Sequence, residues 1–284
     1  MDVLRPFGRL DVLFYYSRVA EKLQGFLEGL ELASKIWIPN GPQVIRRGSK
    51  LPPLWIKELE ADEDFLKLRA EKNLKDVKGL LTERQVRVWE YFPPRKLADL
   101  FYATNGEGPG KPIRRIFFDI DRTDRPAEDA LKVAKGLLQL VQEDGDFQEL
   151  FSFKPWSMWT GSSFHVYLFL EKPIRPETYQ RYIHYSKNQP EASFTGRWAR
   201  ELSERLGLEI SGGHEKQKGK IVIDPSQTPS GKLARAPFSL HMRDAKTVDG
   251  VAVPVDLKKA DLEELRSLKP ETVLKKLERY SKLL

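Results

Sequence analysis

The chain has 284 residues, enough for one large domain or two small lobes around a substantial core, and its 40% apolar and 31% charged residues make an ordinary globular composition. It contains no cysteine, which excludes disulfides and thiolate zinc sites, and no unbroken apolar run of bilayer-spanning length, so no membrane partner is expected. A net charge of +7 and a pI near 9.3 favour polyanionic partners.

The opening residues lack the charged stretch and apolar core of a signal peptide, and a cytoplasmic location is expected. Apolar residues from Leu10 to Leu30 fall on one helical face, with Asp11 in the first turn. Residues 35–59 read as strands broken at Asn40-Gly41-Pro42 and Leu51-Pro52-Pro53, and residues 61–76 as a charged helix. A further short helix is expected over 93–103, after Pro93-Pro94. The glycine-rich segment 105–112 lacks the Gly-Lys-Ser/Thr ending of a phosphate loop and reads as a connector.

Ile113–Asp121 reads as a buried strand with an acidic end, and Pro126–Glu143 as an amphipathic helix with proline at its start. A strand over His165–Leu170, helices over 177–187 and 194–206, and strands over Lys220–Asp224 and Ala236–Met242 follow. The tail, 256–284, holds two helices, the second opened by Pro270. The mixture is α+β throughout and is expected to form a single catalytic domain over 1–284, with a lobe boundary near 105–112.

Chemistry concentrates in four places. Asp119 and Asp121 are two apart on a strand, so both carboxylates project to one face where the strand ends. Two like charges so close call for a cation between them. Asp224 also ends an apolar strand and is a candidate third carboxylate. Ser163 and His165 share a face by the same period, and a hydroxyl, an imidazole and the N–H groups of the preceding turn suit a triphosphate. Lys232 and Arg235 offer phosphate charge, with Ser239 and His241 again two apart. Taken singly, most of these have bland readings as a solvated strand end, a core histidine or a basic turn. With four histidines and no thiols, metal chemistry rests mainly on carboxylates, which suits Mg²⁺ or Mn²⁺ rather than zinc, and no zinc is expected.

Asp119-Ile-Asp121, Ser163-Phe-His165 and Ile221-Val-Ile-Asp224, in that order, resemble the three motifs of the archaeo-eukaryotic primase superfamily. Arg235-Ala-Pro-Phe-Ser-Leu-His241 resembles a closing segment of the primase small subunit. The wider frame, from Asp11-Val-Leu-Phe-Tyr-Tyr-Ser-Arg to Ser230-Gly-Lys-Leu-Ala-Arg-Ala-Pro-Phe-Ser239, is similar to the polymerase domain of DNA ligase D. Ser162-Ser163 stands where that domain usually carries glycines, and His241 where it usually carries arginine; both lean towards the primase side. The resemblance implies an αβ unit packed on an RRM-like unit with the active site between them. It implies two Mg²⁺ or Mn²⁺ ions on Asp119, Asp121 and Asp224, and an incoming nucleotide held by Ser163, His165, Lys232, Arg235, Ser239 and His241. It also implies DNA template, primer and nucleoside triphosphates as partners, with a DNA ligase and a Ku-like end-binding protein in end joining.

Arg46, Arg47 and Lys50, and Lys216 and Lys218, lie in basic loops suited to DNA phosphates. Trp55, Trp156 and Trp159 are aromatic candidates for base stacking, with core packing the alternative. The expected activity is template-dependent nucleotidyl transfer that extends or fills nucleic-acid ends. The competing readings are a primer-making enzyme, a two-metal nuclease and a non-catalytic basic DNA-binding module.

Overall fold

The computed structural model describes residues 11–38, 41–45 and 52–284. In chain order they form α1 (Val12–Leu27), β1 (Leu32–Ile38), β2 (Gly41–Ile45), α2 (Glu63–Glu71), α3 (Leu74–Val77), α4 (Glu83–Tyr91) and β3 (Ala98–Ala103). There follow β4 (Ile113–Asp121), α5 (Ala127–Glu143), α6 (Gly145–Leu150), β5 (Phe153–Trp159), β6 (Phe164–Ile174), α7 (Pro176–Tyr182) and α8 (Phe194–Leu206). The chain ends with β7 (Ile210–Gly212), β8 (Ile221–Asp224), β9 (Leu233–Arg235), β10 (Leu240–Met242), β11 (Val248–Val251), β12 (Val253–Pro254), α9 (Leu262–Ser267), α10 (Pro270–Lys275) and α11 (Leu277–Ser281). The fold is α+β. Among the described residues no helix is long and apolar enough to cross a membrane.

The chain divides into two compact units. One comprises Met1–Tyr102, Arg235–Pro254 and Arg266–Leu284, the other Ala103–Ala234 and Val255–Leu265. In the first, β1 pairs antiparallel with both β2 and β3, and β10 pairs antiparallel with β11. Helix α1 turns Leu13, Tyr16, Val19, Leu23 and Leu27 inward, and the Asp11 carboxylate caps it by accepting from the Leu13 N–H at 3.0 Å. The same carboxylate takes Nε and Nη2 of the fully buried Arg69 at 2.5 and 3.0 Å. A two-pronged contact of this kind fixes angle as well as distance, so it locks α2 to the start of α1.

In the second unit the strand order is β5-β6-β4-β8-β7. Ile116, Phe118 and Ile120 of β4 are buried on the face covered by α5 and α8, where Phe118 meets Trp198 edge to face at 6.1 Å. Helix α8 ends at Gly207, whose φ of 62° is the left-handed cap position that glycine adopts without strain. Strand β8 is short and pairs with β4 only over Asp119–Asp121. Beyond it two side chains replace the missing strand. Thr228 Oγ1 accepts from the Phe117 N–H at 2.9 Å and donates to the Phe117 carbonyl at 3.1 Å. Asn105 Oδ1 accepts from the N–H groups of Arg114 and Arg115 at 2.8 and 3.0 Å, and its amide donates to the Arg115 carbonyl at 2.8 Å. Both residues are buried, so β4 keeps its backbone satisfied along an edge that water does not reach.

Several sequence expectations need correction. Residues 98–103 form a strand: Leu97 to Ala103 are almost wholly buried in the sheet, and the turn after Pro93-Pro94 ends with Arg95 at a φ of 62°. Residues 56–59 are a short 3₁₀ turn, with no strand there. The helix expected over 177–187 stops at Tyr182. The strand expected over 236–242 is confined to 240–242, because Phe238 adopts a φ of 61° and breaks it. The tail holds α9, α10 and α11, with Pro270 at the first position of α10. Helix α4 and strand β5 lacked a sequence expectation; β5 carries a proline, Pro155, within its span.

Replacing Thr228 by valine keeps the shape and removes both hydrogen bonds to Phe117. With two buried backbone groups left unpaired at about 1–3 kcal/mol each, Thr228→Val is expected to lower unfolding free energy by about 2–6 kcal/mol. Denaturant titration at an unchanged m-value checks this.

Candidate active site

Register does most of the assembly. On β4, Asp119 is the direct partner of His165 on β6 and of Asp224 on β8. Directly opposed residues on neighbouring strands put their side chains on the same face, so His165, Asp119 and Asp224 form one row across the sheet. Asp121, two residues on, shares that face at the end of β4. This is the face opposite Phe118, away from α5 and α8. It continues into an aromatic cluster, with Phe117 edge-on to His165 at 4.7 Å and to Tyr167 at 5.0 Å.

Each member has a distinct environment. His165 is buried, with Nε2 3.6 Å from Asp119 Oδ1. Asp224 is half-buried, and burial pushes its carboxyl above the usual carboxylate range, opposed by the Ser226 N–H donating to Oδ1 at 2.8 Å. The Tyr179 hydroxyl is raised as well, by burial first and then by the Asp224 charge, and it donates to the Pro225 carbonyl at 3.0 Å. Asp121 Oδ1 accepts from the Thr123 N–H at 3.0 Å, while Oδ2 lies 2.6 Å from Lys216 Nζ. That hydrogen bond, and then the charges of Asp121, Asp119 and Asp224, hold the Lys216 ammonium above the ordinary lysine value. Lys216 therefore sits in the field of all three carboxylates.

The loop carrying Lys216 is tied down at both ends. Gly213 has a φ of 102°, and an added Cβ there would come within 2.8 Å of the Tyr185 ring, with 2.4 Å at Gly212. Only glycines allow the chain to pass so close to that ring. At the far end, the Gly219 N–H donates to Asp124 Oδ1 at 2.8 Å. Lys218 is exposed near the Asp124 carboxylate.

Ser163 is buried, and its hydroxyl donates to the carbonyl of Ile120, the residue between the two aspartates. The N–H groups of Ser162 and Ser163 are taken by Thr160 Oγ1 at 3.4 and 3.0 Å, in a turn that places Gly161 at a φ of 98°. The donors that the sequence offered to a phosphate thus serve the turn itself. Arg122 closes the same corner by donating to the Ser162 carbonyl at 2.9 Å. Lys232 is exposed, beside Gly231 at a φ of 74°. Trp159 is fully buried, whereas Trp55 and Trp156 are partly exposed; Arg46, Arg47 and Lys50 lie outside the described residues.

In the other unit, Arg235, Ser239 and His241 are also close in space. Arg235 Nη1 donates to the Leu240 carbonyl and lies 3.4 Å from Ser239 Oγ, while its guanidinium covers the Phe101 ring at 5.1 Å. Ser239 is fully buried and accepts from the Leu100 N–H at 2.8 Å. His241 is partly exposed on β10, opposite Gly250.

The donor set of the first row is oxygen-rich and fits a hard divalent cation. Among the described residues no three Asp, Glu or His side chains are already drawn around one point. Asp121 instead has the Lys216 ammonium against it. The residues therefore fit a carboxylate-bound Mg²⁺ or Mn²⁺ in type and in register.

Sequence reasoning missed Asn105, Arg122 and Thr228, which hold the carboxylate strand and its turn. Each acts through a contact distant in sequence, Asn105 with Thr228, Arg122 with Ser162 and Thr228 with Phe117, at which no local pattern hints.

No curated protein matches the sequence. The structure is similar to that of the polymerase domain of Mycobacterium tuberculosis ligase D, solved in complex with DNA. The TM-score is 0.62 at 19% sequence identity, over 99% of this chain and 93% of that one. At that identity the likeness shows a shared fold. The family model of the LigD primase-polymerase domain matches residues 9–284. The chain therefore belongs to the LigD primase-polymerase domain family and is a nucleotidyltransferase of the repair-polymerase class.

Proposed function

We propose that the protein extends or fills DNA ends by template-dependent, two-metal nucleotidyl transfer, with Asp119, Asp121 and Asp224 as metal ligands. The observation that carries this reading is the row His165–Asp119–Asp224, with Asp121 on the same face at the end of β4. Three carboxylates sharing one face of a sheet with partial burial repel one another, and a cation among them offsets that repulsion. When bound, Mg²⁺ or Mn²⁺ supplies a stronger nucleophile from the primer hydroxyl and charge for the departing pyrophosphate.

The chain's own groups have defined tasks. His165, held between Phe117 and Asp119, presents an imidazole to the incoming triphosphate. Ser163 fixes the corner that carries the carboxylates through its bond to the Ile120 carbonyl, and any contact it makes with nucleotide adds to that role. Arg235, Ser239 and His241 in one unit, and exposed Lys232 in the other, are the remaining residues assigned to the nucleotide. Arg235 is suited to phosphate because its planar fork can contact two oxygens at once. Lys216 and Lys218 in the loop after β7 contribute positive charge for DNA phosphates. DNA is the expected template and primer; the solved relative is a complex with DNA. A ligase and a Ku-like end-binding protein are the partners such chemistry calls for in end joining.

Asp119→Asn and Asp224→Asn are each expected to cut nucleotide incorporation by more than about a hundredfold, since even outer-shell partners of metal ligands cost 10–100-fold. Binding to a primed duplex is expected to stay within a few-fold. Primer extension in Mg²⁺ and in Mn²⁺, beside a DNA mobility-shift titration, provides the measurement. Near-normal incorporation by either variant would overturn the metal assignment, and cleavage of the DNA without incorporation would point to a nuclease.

Lys216 and a metal ion compete for Asp121. A solvent-exposed ion pair is worth up to about 1 kcal/mol, so Lys216→Met is expected to tighten Mn²⁺ binding by about two- to fivefold. Calorimetric titration of the protein with Mn²⁺ reads this directly, and weaker binding in the variant would mean that Lys216 supports the site.

A further inference from the structure

Asp99 lies on β3 with 1% of its surface exposed, and no sequence motif marks it. Its Oδ1 accepts from the Met242 N–H at 3.1 Å and lies 3.5 Å from Arg235 Nη1. Among the described residues, Oδ2 has no hydrogen-bond partner. Burial pushes this carboxyl above the usual carboxylate range, opposed by Arg235 and Lys35. A buried acid with an unfilled oxygen is an expensive way to hold a fold together, because unpaired buried polar atoms are destabilising.

Both of its contacts fall on the segment Arg235–Met242. The ladder between β10 and β11 slips between His241 and Met242, and such a bulge takes an N–H out of the regular pairing. Asp99 accepts that N–H. The segment also makes a tight turn: the Ser239 N–H donates to the Ala236 carbonyl at 3.1 Å, with Pro237 and Phe238 between them. Phe238 takes a left-handed φ of 61°, a conformation that costs a non-glycine residue about 1–2 kcal/mol. The turn is clamped by Tyr15, whose hydroxyl donates to the Phe238 carbonyl at 2.8 Å, and by the Ala252 carbonyl, which accepts from the Phe238 N–H at 2.8 Å.

The result is directional. Among the described residues every hydrogen bond of Arg235 runs through Nη1, towards Leu240 and Ser239, and the Asp99 carboxylate stands on that same side. The ring of Phe101 supports the guanidinium plane. Nε and Nη2, the edge that grips two oxygens of one phosphate, carry no such bond.

We propose that Asp99 is a positioning residue for the nucleotide-binding segment: it holds Arg235 by Nη1 and fixes the bulge beside His241, leaving the Nε/Nη2 edge of Arg235 for a phosphate of the incoming nucleotide. This rests on the reading of Arg235 as a nucleotide-binding residue.

Steady-state extension of a primed template, with the nucleoside triphosphate varied, separates the two claims. Arg235→Lys tests the underlying reading and is expected to raise the nucleotide KM; an unchanged KM there overturns that reading. Asp99→Asn is expected to raise the nucleotide KM about tenfold with kcat within about twofold, the pattern of lost binding without lost chemistry. In the Arg235→Lys background, Asp99→Asn is expected to add less than about half of that effect on a logarithmic scale, because the two residues act as a unit. A normal KM in Asp99→Asn, or full additivity with Arg235→Lys, overturns the positioning role. Near-ultraviolet circular dichroism checks that each variant is native. If Asp99→Asn is not, Asp99→Ser, which keeps an acceptor without charge, carries the same test.

Discussion

Asp119 and Asp224 face each other across two hydrogen-bonded strands, and Asp121 follows two residues later on the same side. Like charges directly opposed on a sheet are destabilising, so the surrounding structure must hold them in place against their repulsion. Much of the second unit can be traced to that constraint. Ile116, Phe118 and Ile120 anchor β4 from the other face. Asn105 and Thr228 complete its hydrogen bonding where β8 runs out. Ser163 and Arg122 brace the corner just past the acidic end, and Lys216 places an ammonium against Asp121. Removing the braces would allow the strand end to splay and the carboxylates to separate.

The parts of this arrangement legible in the sequence were those governed by short periods. Alternation placed Asp119 with Asp121, and apolar runs ending in aspartate marked β4 and β8. Helices α1 and α5 followed from 3.6-residue spacing with recognisable starts. Strand β3 was misread because Pro93-Pro94 resembles a helix start, while its burial on both faces removes the alternation that betrays a strand. Strand pairing is not encoded locally at all. That Asp119 stands opposite both His165 and Asp224 depends on β6 and β8 flanking β4, and residues 46 and 105 positions away supply the partners. The motif resemblance identified the family; the register shows which of its motif residues stand side by side.

The first unit shows the same trade between stability and use in another form. Ser239 and Asp99 are wholly buried, yet both are polar, and Phe238 holds a backbone conformation that glycine would adopt without strain. Tyr15 and Tyr16 meet this from α1: the Tyr16 hydroxyl donates to the Ala98 carbonyl and accepts from the Leu240 N–H at 3.2 Å. Burial raises the titration of both tyrosines, so they remain neutral hydrogen-bonding groups throughout the ordinary pH range. Strain and buried polarity concentrated on eight consecutive residues, Arg235 to Met242, are hard to explain as packing alone.

The two raised carboxyls link these features to ligand binding. A carboxyl whose protonated form is favoured by folding binds its proton more tightly in the native than in the unfolded chain. Its contribution to stability is therefore greatest at low pH and declines as the pH rises through the window between the unfolded and the raised native value. Asp224 and Asp99 both have this sign, so at neutral pH each native charge is held against burial. Nearby cations offset part of the penalty: Arg235 and Lys35 at Asp99, and the Lys216 ammonium in the field around Asp224. A ligand that binds only the folded protein stabilises it by RT ln(1 + L/Kd), which grows with its free concentration L. Divalent metal at the carboxylate row would therefore relieve repulsion that the fold alone leaves in place. On the proposed reading, the same unfavourable charge that weakens the unliganded protein would be the source of its affinity for those ions.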